Sequence, residues 1–332
     1  MKISKSDRKA VRTIIRGKSL NDVARIEYTL LDHFDRWKLA TKDRRILNAG
    51  VSGRPHLDYL PMSNFRLREA SHDAMVWAFQ KYAKECSYPD FWLGTFCWDD
   101  GVTWEKEPQL DLNKMAGQVY RALNDHKLNA VFFFELSPLE TLPGDDDRRL
   151  LFHVHAICWP REGTFKPKDT ANKLNALRKF PNMFDAKAVK FTRKKLKRLG
   201  KQSSRKDFEK LLGLAGYCTK VDGWTKRIVP RRKGKGNKMQ KAHAFSGQLA
   251  GRVVEILSQI TVWDAVQGVG EGRVIRKYWQ MRLKDQLVAL PGKPTQINLR
   301  AIKKAWKNAR VLNGPDEYRP CVVDPRYANR VT

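Results

Sequence analysis

The stretches LFHVHAICW, residues 151–159, and AVFFFEL, residues 130–136, decide how this chain folds. Both are short and rich in β-branched or aromatic residues, which predicts two β-strands. The segment between them, SPLETLPGDDDRR, is acidic and contains Pro and Gly, so it predicts the long loop of a hairpin. The aromatic segment FWLGTFCW, residues 91–98, predicts a further strand of the same sheet.

Two histidines lie inside the second of these strands. Side chains alternate along a strand, so His153 and His155 point to the same face of the sheet, with Val154 on the other. Two imidazoles two residues apart on a rigid strand suit a shared divalent cation. Taken alone, the same pattern is equally typical of two ordinary strand histidines with satisfied hydrogen bonds.

A carboxylate follows the three phenylalanines of the first strand. Glu135 in so apolar a segment is costly unless it is paired or bound to a metal. If the two strands pair as a hairpin, Glu135 comes beside the histidines, and these three donors leave coordination positions for phosphate oxygens. The alternative is a glutamate at the end of the sheet that faces water.

The segment LLGLAGYCTK, residues 211–220, predicts a helix with a tyrosine on its open side. At about 100° per residue, one face carries Phe208, Leu211, Leu212 and Ala215. Tyr217 falls on the opposite side, with Gly213 and Lys220 within about 60° of it. A phenol with a reference pKa of about 10 is a poor nucleophile, and a nearby metal or Lys lowers the cost of the phenolate. A surface tyrosine on a basic helix is the alternative.

The net charge is +30, from 65 Lys and Arg against 35 Asp and Glu, which indicates a polyanionic partner, above all nucleic acid. Residues 181–241 alone carry 20 Lys or Arg and 4 Asp or Glu, so a groove for the DNA backbone is predicted there. The residues predicted to contact nucleic acid are Arg193, Lys194, Lys197, Arg227, Arg231, Arg232, Lys233 and Lys235.

A length of 332 residues and a hydrophobic content of 42% predict about two folded domains. We divide the chain into a helical N-terminal region over residues 1–88, which is a candidate DNA-binding region, a catalytic domain over residues 89–262, and a basic, mainly helical region over residues 263–332. Helices are predicted near residues 71–86 and 246–260, and basic helical sequence over residues 171–220.

The cysteines and the hydropathy pattern indicate a cytoplasmic protein. The 5 cysteines are scattered without a C-x-x-C pair, which is typical of reduced thiols rather than of a disulfide framework or a zinc ribbon. The sequence has no apolar run long enough to span a membrane, and no signal peptide is predicted. We therefore expect the bacterial cytoplasm or nucleoid, without a membrane partner.

In this order, the motifs resemble those of the HUH endonuclease superfamily, which includes rolling-circle replication initiators, conjugative relaxases and some transposases. FFFEL followed by FHVHAICW resembles the family's metal-binding hairpin, and YCTK resembles its tyrosine motif, in which a Lys three residues after the nucleophile is common. The resemblance covers roughly residues 90–222. The loop between Glu135 and His153 is longer than in compact initiators, and Val221 leaves a single tyrosine, unlike the two-tyrosine phage-type enzymes.

The resemblance implies an α+β fold, in which a central, mostly antiparallel sheet packs against the Tyr217 helix and helical regions flank it. It implies that His153, His155 and Glu135 bind Mg²⁺ or Mn²⁺, that Tyr217 attacks a phosphate of single-stranded DNA, and that Lys220 stabilises the charge. The expected activity is nicking and joining through a 5′-phosphotyrosine, which initiates replication of a plasmid or phage. No G-x-x-x-x-G-K-[ST] sequence is present, so origin DNA, a host helicase and a host polymerase are the expected partners.

Other functions fit parts of this pattern. A transposase or a conjugative relaxase shares the motifs, although relaxases usually carry three histidines and His243 is only a distant third candidate. A nucleic-acid-binding protein without catalysis explains the charge alone. A cupin-like metalloenzyme also uses H-x-H and Glu, but the nearest acid downstream is Glu162, outside the strand, and a small-molecule oxygenase has no use for a charge of +30.

Overall fold

The computed structural model describes twelve stretches of the chain, and within them the fold is mixed α+β around a mostly antiparallel, eight-stranded sheet. This agrees with the coarse fold class predicted from the sequence. No helix in these stretches has the length and apolarity to cross a membrane. The described residues are 40–51, 53–85, 91–140, 148–181, 187–194, 213–214, 224–230, 237–244, 247–290, 293–294, 296–313 and 322–324.

The elements are numbered in chain order within these stretches. The helices are α1 (Thr41–Val51), α2 (Phe65–Glu85), α3 (Leu112–Asp125), α4 (Pro167–Asn175), α5 (Gly247–Leu257), α6 (Val262–Ala265), α7 (Gly272–Val288) and α8 (Leu299–Asn313). The strands are β1 (Phe91–Phe96), β2 (Val102–Trp104), β3 (Gln109–Asp111), β4 (Leu128–Leu139), β5 (Arg149–Pro160), β6 (Val189–Lys194), β7 (Trp224–Pro230), β8 (Asn237–Ala244), β9 (Val266–Val269) and β10 (Val322–Asp324).

The main sheet has the order β6-β1-β5-β4-β7-β8, with β2 beside β5 and β9 beside β4. Neighbouring strands are antiparallel except for β4 and β7, which meet in parallel at a single position. Strands β3 and β10 form a separate parallel pair. The strand that carries the two histidines therefore lies in the middle of the sheet.

The central hairpin of β4 and β5 confirms the two strands predicted from the sequence. The strands pair continuously from Leu128 opposite Pro160 to Leu139 opposite Arg149. Each is longer than its predicted segment, so part of the acidic connection belongs to the strands. The helices predicted near residues 71–86 and 246–260 are also present, as α2 and α5.

The prediction of helical sequence over residues 171–220 is wrong in its first half. Helix α4 ends at Asn175, and residues 189–194 form β6, which pairs with β1 along its whole length. The sequence VKFTRK begins with the alternation of a strand, but its basic composition led to the prediction of a helix. The edge of β1 provides the hydrogen-bonding partners that make this segment a strand. Arg193 and Lys194, predicted on a helix, therefore lie on a strand.

Helix α2 covers the face of the sheet that carries His153 and His155, which we call the histidine face. Trp159 shares this face by alternation along β5, and its ring centroid is 5.8 Å from that of Tyr82 in α2. Phe79 of α2 lies 6.0 Å from Phe91 of β1, ring centre to ring centre. Residues 65–85 thus pack directly on the sheet that holds the candidate site.

Helix α7 lies beside α2 and joins the same core. The Trp279 indole Nε1 donates a hydrogen bond to Ser71 Oγ at 3.2 Å, which links the two helices. Their buried apolar side chains belong to one continuous hydrophobic cluster with the sheet. The division of the chain at residues 88 and 262 stays a prediction.

Gly272, the first residue of α7, lies where the helix backbone meets β4. A Cβ at this position would stand 1.7 Å from the carbonyl oxygen of Ala130 and 2.4 Å from its carbonyl carbon. We expect Gly272→Ala to lower the free energy of unfolding by about 3 kcal/mol or more, because the two backbones must separate. Chemical denaturation followed by circular dichroism measures this change.

Gly213→Ala is the matched control, because a Cβ added to this helical glycine meets no atom within 4 Å. Its free energy of unfolding should stay the same or rise by up to about 1 kcal/mol through helix propensity. Equal stability of the two variants would contradict the close packing of α7 on β4.

Candidate metal centre

Three metal-binding side chains come together on the central hairpin. The register sets Glu135 opposite His153 and Phe133 opposite His155, so the carboxylate and both imidazoles share the histidine face. One ligand atom from each of the three residues lies within 4.8 Å of the other two. The hairpin geometry predicted for Glu135 is therefore confirmed, whereas its role as a ligand stays a prediction.

The distances between the donor atoms fit a single divalent cation. The Nε2 atoms of His153 and His155 are 3.1 Å apart, and the Glu135 carboxylate oxygens lie 3.7 Å from the first and 3.3 Å from the second. Two ligands at right angles around an ion, each about 2.1 Å from it, are about 3.0 Å from each other. The group can hold a metal ion without rearrangement of its strands.

Thr95 contacts the second imidazole from the neighbouring strand. It lies opposite His155 in the pairing of β1 with β5, and its Oγ1 is hydrogen-bonded to His155 Nδ1 at 3.2 Å. An Nδ1–H donated to this hydroxyl leaves the Nε2 lone pair for a metal, which is the usual arrangement around ligating histidines. The sequence of residues 91–98 predicts the strand, but it gives no indication of a role for Thr95.

Lys226 places a positive charge beside the carboxylate. Strand β7 meets β4 at Leu139, and the Lys226 ammonium lies 3.6 Å from Glu135 Oε1 and donates a hydrogen bond to Ser137 Oγ at 2.8 Å. A buried carboxylate needs such a partner because its desolvation is costly. Sequence reasoning missed Lys226, because only the pairing of β7 with β4 brings it to the group.

The donors are nearly closed off from solvent. The side chains of His153 and His155 are each 3% exposed and that of Glu135 is 6% exposed, whereas that of Lys226 is 14% exposed. Lys226 is therefore the most accessible of these four side chains.

The charge of Glu135 affects the pKa values of two neighbouring groups. Burial lowers the pKa of the Arg68 guanidinium to about 10, and the charge of Glu135 opposes this shift, so the group stays protonated at neutral pH. Burial raises the pKa of the Cys97 thiol to about 12, which Lys226 opposes and Glu135 reinforces. The thiol therefore stays protonated at neutral pH in the metal-free protein.

The other residues predicted for the site are not joined to this group by the described structure. Arg227 is exposed and follows Lys226 along β7, so alternation turns it to the opposite face of the sheet. Arg193 and Lys194 contribute their backbones to β6. The predicted residues that lie outside the described part of the chain are Tyr217, Lys220, Lys197, Arg231, Arg232, Lys233 and Lys235.

The helix predicted to carry Tyr217 is described at two residues. Gly213 and Leu214 are both helical, and Leu214 is buried in the main core cluster. Gly213 is exposed, with open space where a Cβ would stand. At about 100° per residue, the exposed Gly213 and the buried Leu214 both lie within about 60° of position 217, so the orientation of Tyr217 stays a prediction.

His243, the distant third histidine, does not join the candidate centre. It is exposed on β8, and its Nε2 lies 3.5 Å from Oε1 of Glu140. Among the residues described, the group of three donors consists of Glu135, His153 and His155.

Comparisons with protein-family models, with curated proteins and with solved structures found no significant match to this chain.

Proposed function

We propose that this protein is a metal-dependent DNA nickase of the HUH type, which cuts and rejoins single-stranded DNA through a tyrosine and initiates rolling-circle replication. The observation that carries this proposal is the group formed by Glu135, His153 and His155 on two adjacent antiparallel strands. The antiparallel sheet around this hairpin supports the HUH nuclease fold as its architecture.

The donor set supports Mg²⁺ or Mn²⁺ as the cofactor. The carboxylate is a hard ligand and the imidazoles are borderline ligands, and the described group of three donors contains no sulfur ligand that would favour a soft metal. A divalent cation held by these three side chains supplies Lewis-acid polarisation of the scissile phosphate. Thr95 fixes the ring of His155, and Lys226 pairs with the carboxylate while no metal is bound.

Tyr217 is the proposed nucleophile. Its phenolate oxygen forms a bond to phosphorus while the bond between phosphorus and the 3′ oxygen breaks, and the 3′ oxygen leaves as a hydroxyl after it takes up a proton. The 5′ phosphate stays on the tyrosine. Lys220 stabilises the phenolate before the attack. Because the phosphotyrosine bond conserves the energy of the broken bond, a later hydroxyl rejoins the strand without ATP.

The charge distribution supports DNA as the substrate. Strands β6 and β7 and most of β8 fall within residues 181–241, where Lys and Arg greatly outnumber Asp and Glu. Such an excess suits a chain of phosphates. We expect the protein to act on origin DNA in the bacterial cytoplasm or nucleoid, together with a host helicase and polymerase.

The burial of the donors favours a second candidate, a nucleic-acid-binding protein with a structural cation. Structural sites are closed by protein ligands, whereas catalytic sites keep an open position. The two imidazoles here are each 3% exposed, which resembles the closed kind. Such a protein binds DNA and is stabilised by its cation, but it forms no covalent adduct.

Incubation of the whole chain with a pool of single-stranded oligonucleotides and Mn²⁺ tests the proposal. The nickase predicts a protein band of lower mobility on a denaturing gel, and EDTA should prevent its formation. The second candidate predicts that EDTA lowers the melting temperature while no such band forms with Mn²⁺. Failure to form an adduct with any pool, across several divalent metals, would contradict the nickase.

A further inference from the structure

Lys226 occupies a place in the metal centre that the proposed reaction leaves unused. Its ammonium is 3.6 Å from Glu135 Oε1 and is held by a hydrogen bond to Ser137 Oγ at 2.8 Å. It is also more exposed than the carboxylate and the imidazoles that it accompanies. The same ammonium is thus a counter-ion of the carboxylate and the most exposed of the four side chains.

A divalent cation bound by Glu135 meets this ammonium at close range. The two cations repel each other strongly because the site is buried and screening by water is weak. The metal and the Lys226 ammonium would share the one carboxylate of the described donor group. An anion that enters with the metal relieves the repulsion between these two cations.

We propose that Lys226 couples the binding of the divalent cation to the binding of a phosphodiester. Without metal, the ammonium holds Glu135. When the cation takes the carboxylate, the ammonium pairs with an oxygen of the phosphate that enters with the cation. The competition between Lys226 and the metal for Glu135 follows from the observed geometry alone. The choice of a phosphodiester as the anion rests on the proposed function. Each ligand then tightens the other by the same factor.

Mn²⁺ binding to Lys226→Met, followed through the electron paramagnetic resonance signal of free Mn²⁺, tests the competition. Without nucleic acid we expect Mn²⁺ to bind about tenfold more tightly than to the wild type, since one positive charge beside the cation is gone. Lys226→Arg, which keeps the charge, should retain the wild-type affinity. Lys114→Met is the control, because this exposed lysine pairs with Asp100 at 2.8 Å, outside the donor group.

Equal or weaker Mn²⁺ binding by folded Lys226→Met would overturn the competition. Should that variant fail to fold, Lys226→Gln removes the charge, keeps a donor for Ser137, and carries the same expectation. Circular dichroism establishes the folded state of each variant before the titration.

The coupling is tested in the Tyr217→Phe background with a short oligothymidylate, so that no strand is cut. The oligonucleotide should tighten Mn²⁺ binding by about tenfold when Lys226 is present and by less than about twofold in Tyr217→Phe/Lys226→Met. An equal gain in both proteins, or no gain in either, would overturn the coupling. Neither titration needs nicking, so loss of the nickase by the adduct assay and loss of this inference are separate outcomes.

Discussion

Tyr217→Phe is expected to reduce formation of the covalent protein–DNA adduct by at least about a thousandfold, while single-stranded DNA still binds within about twofold. Phenylalanine keeps the ring but lacks the oxygen that forms the bond to phosphorus. The basic residues expected to bind the phosphates are unchanged, so the variant should keep its affinity for DNA while it loses adduct formation. The adduct is measured on denaturing gels, and binding is measured by fluorescence anisotropy.

Tyr120→Phe is the matched control for this loss. The Tyr120 hydroxyl accepts a hydrogen bond from Arg273 at 2.6 Å, so the same change removes a structural contact away from the donor group. This variant should form the adduct as the wild type does. If Tyr217→Phe forms as much adduct as Tyr120→Phe, Tyr217 is not the nucleophile.

His155→Ala is expected to weaken Mn²⁺ binding by more than about a hundredfold and to reduce nicking by at least about a thousandfold. The substitution removes one of two imidazole ligands and leaves Glu135 and His153 with an incomplete set. Thr95→Ala removes only the hydrogen bond that orients the ring, so a smaller loss of Mn²⁺ affinity, about tenfold, is expected. Mn²⁺ titration and the adduct assay measure both variants.

His243→Ala is the histidine control, because this exposed side chain contacts Glu140 rather than the donor group. Its Mn²⁺ affinity and its nicking rate should equal those of the wild type. Retention of both properties by His155→Ala would show that the metal binds elsewhere. Loss of both in His243→Ala would instead favour a three-histidine centre of the relaxase kind.

The local sequence was sufficient to predict the core of the fold. The strands of the hairpin are short apolar runs on either side of a polar, Pro- and Gly-containing connection, and this pattern predicts a hairpin but not its register. The observed register brings Glu135 opposite His153. The segment at residues 189–194 was wrongly predicted as helical. It forms a strand because it pairs with the edge of β1, and this long-range pairing cannot be predicted from its composition.

The contacts that Thr95 and Lys226 make with the donor group could not be predicted from the sequence for the same reason. Thr95 reaches His155 only through the pairing of β1 with β5, and Lys226 reaches Glu135 only because β7 adds to the far side of β4. Nothing in the sequence distinguishes Lys226 from the other lysines of this basic segment. The roles of Tyr217 and Lys220 rest on the sequence motif, since both lie outside the described residues.

The proposed reaction requires the Tyr217 phenol to reach the phosphate bound by a cation on the hairpin. The most direct measurement is anomalous scattering from a crystal of the Tyr217→Phe protein with Mn²⁺ and a single-stranded oligonucleotide. We predict a manganese peak in contact with the Nε2 atoms of His153 and His155 and with Glu135, a phosphate beside it, and the ring of residue 217 facing that phosphate. A peak elsewhere, or a ring turned away from the donors, would contradict the account.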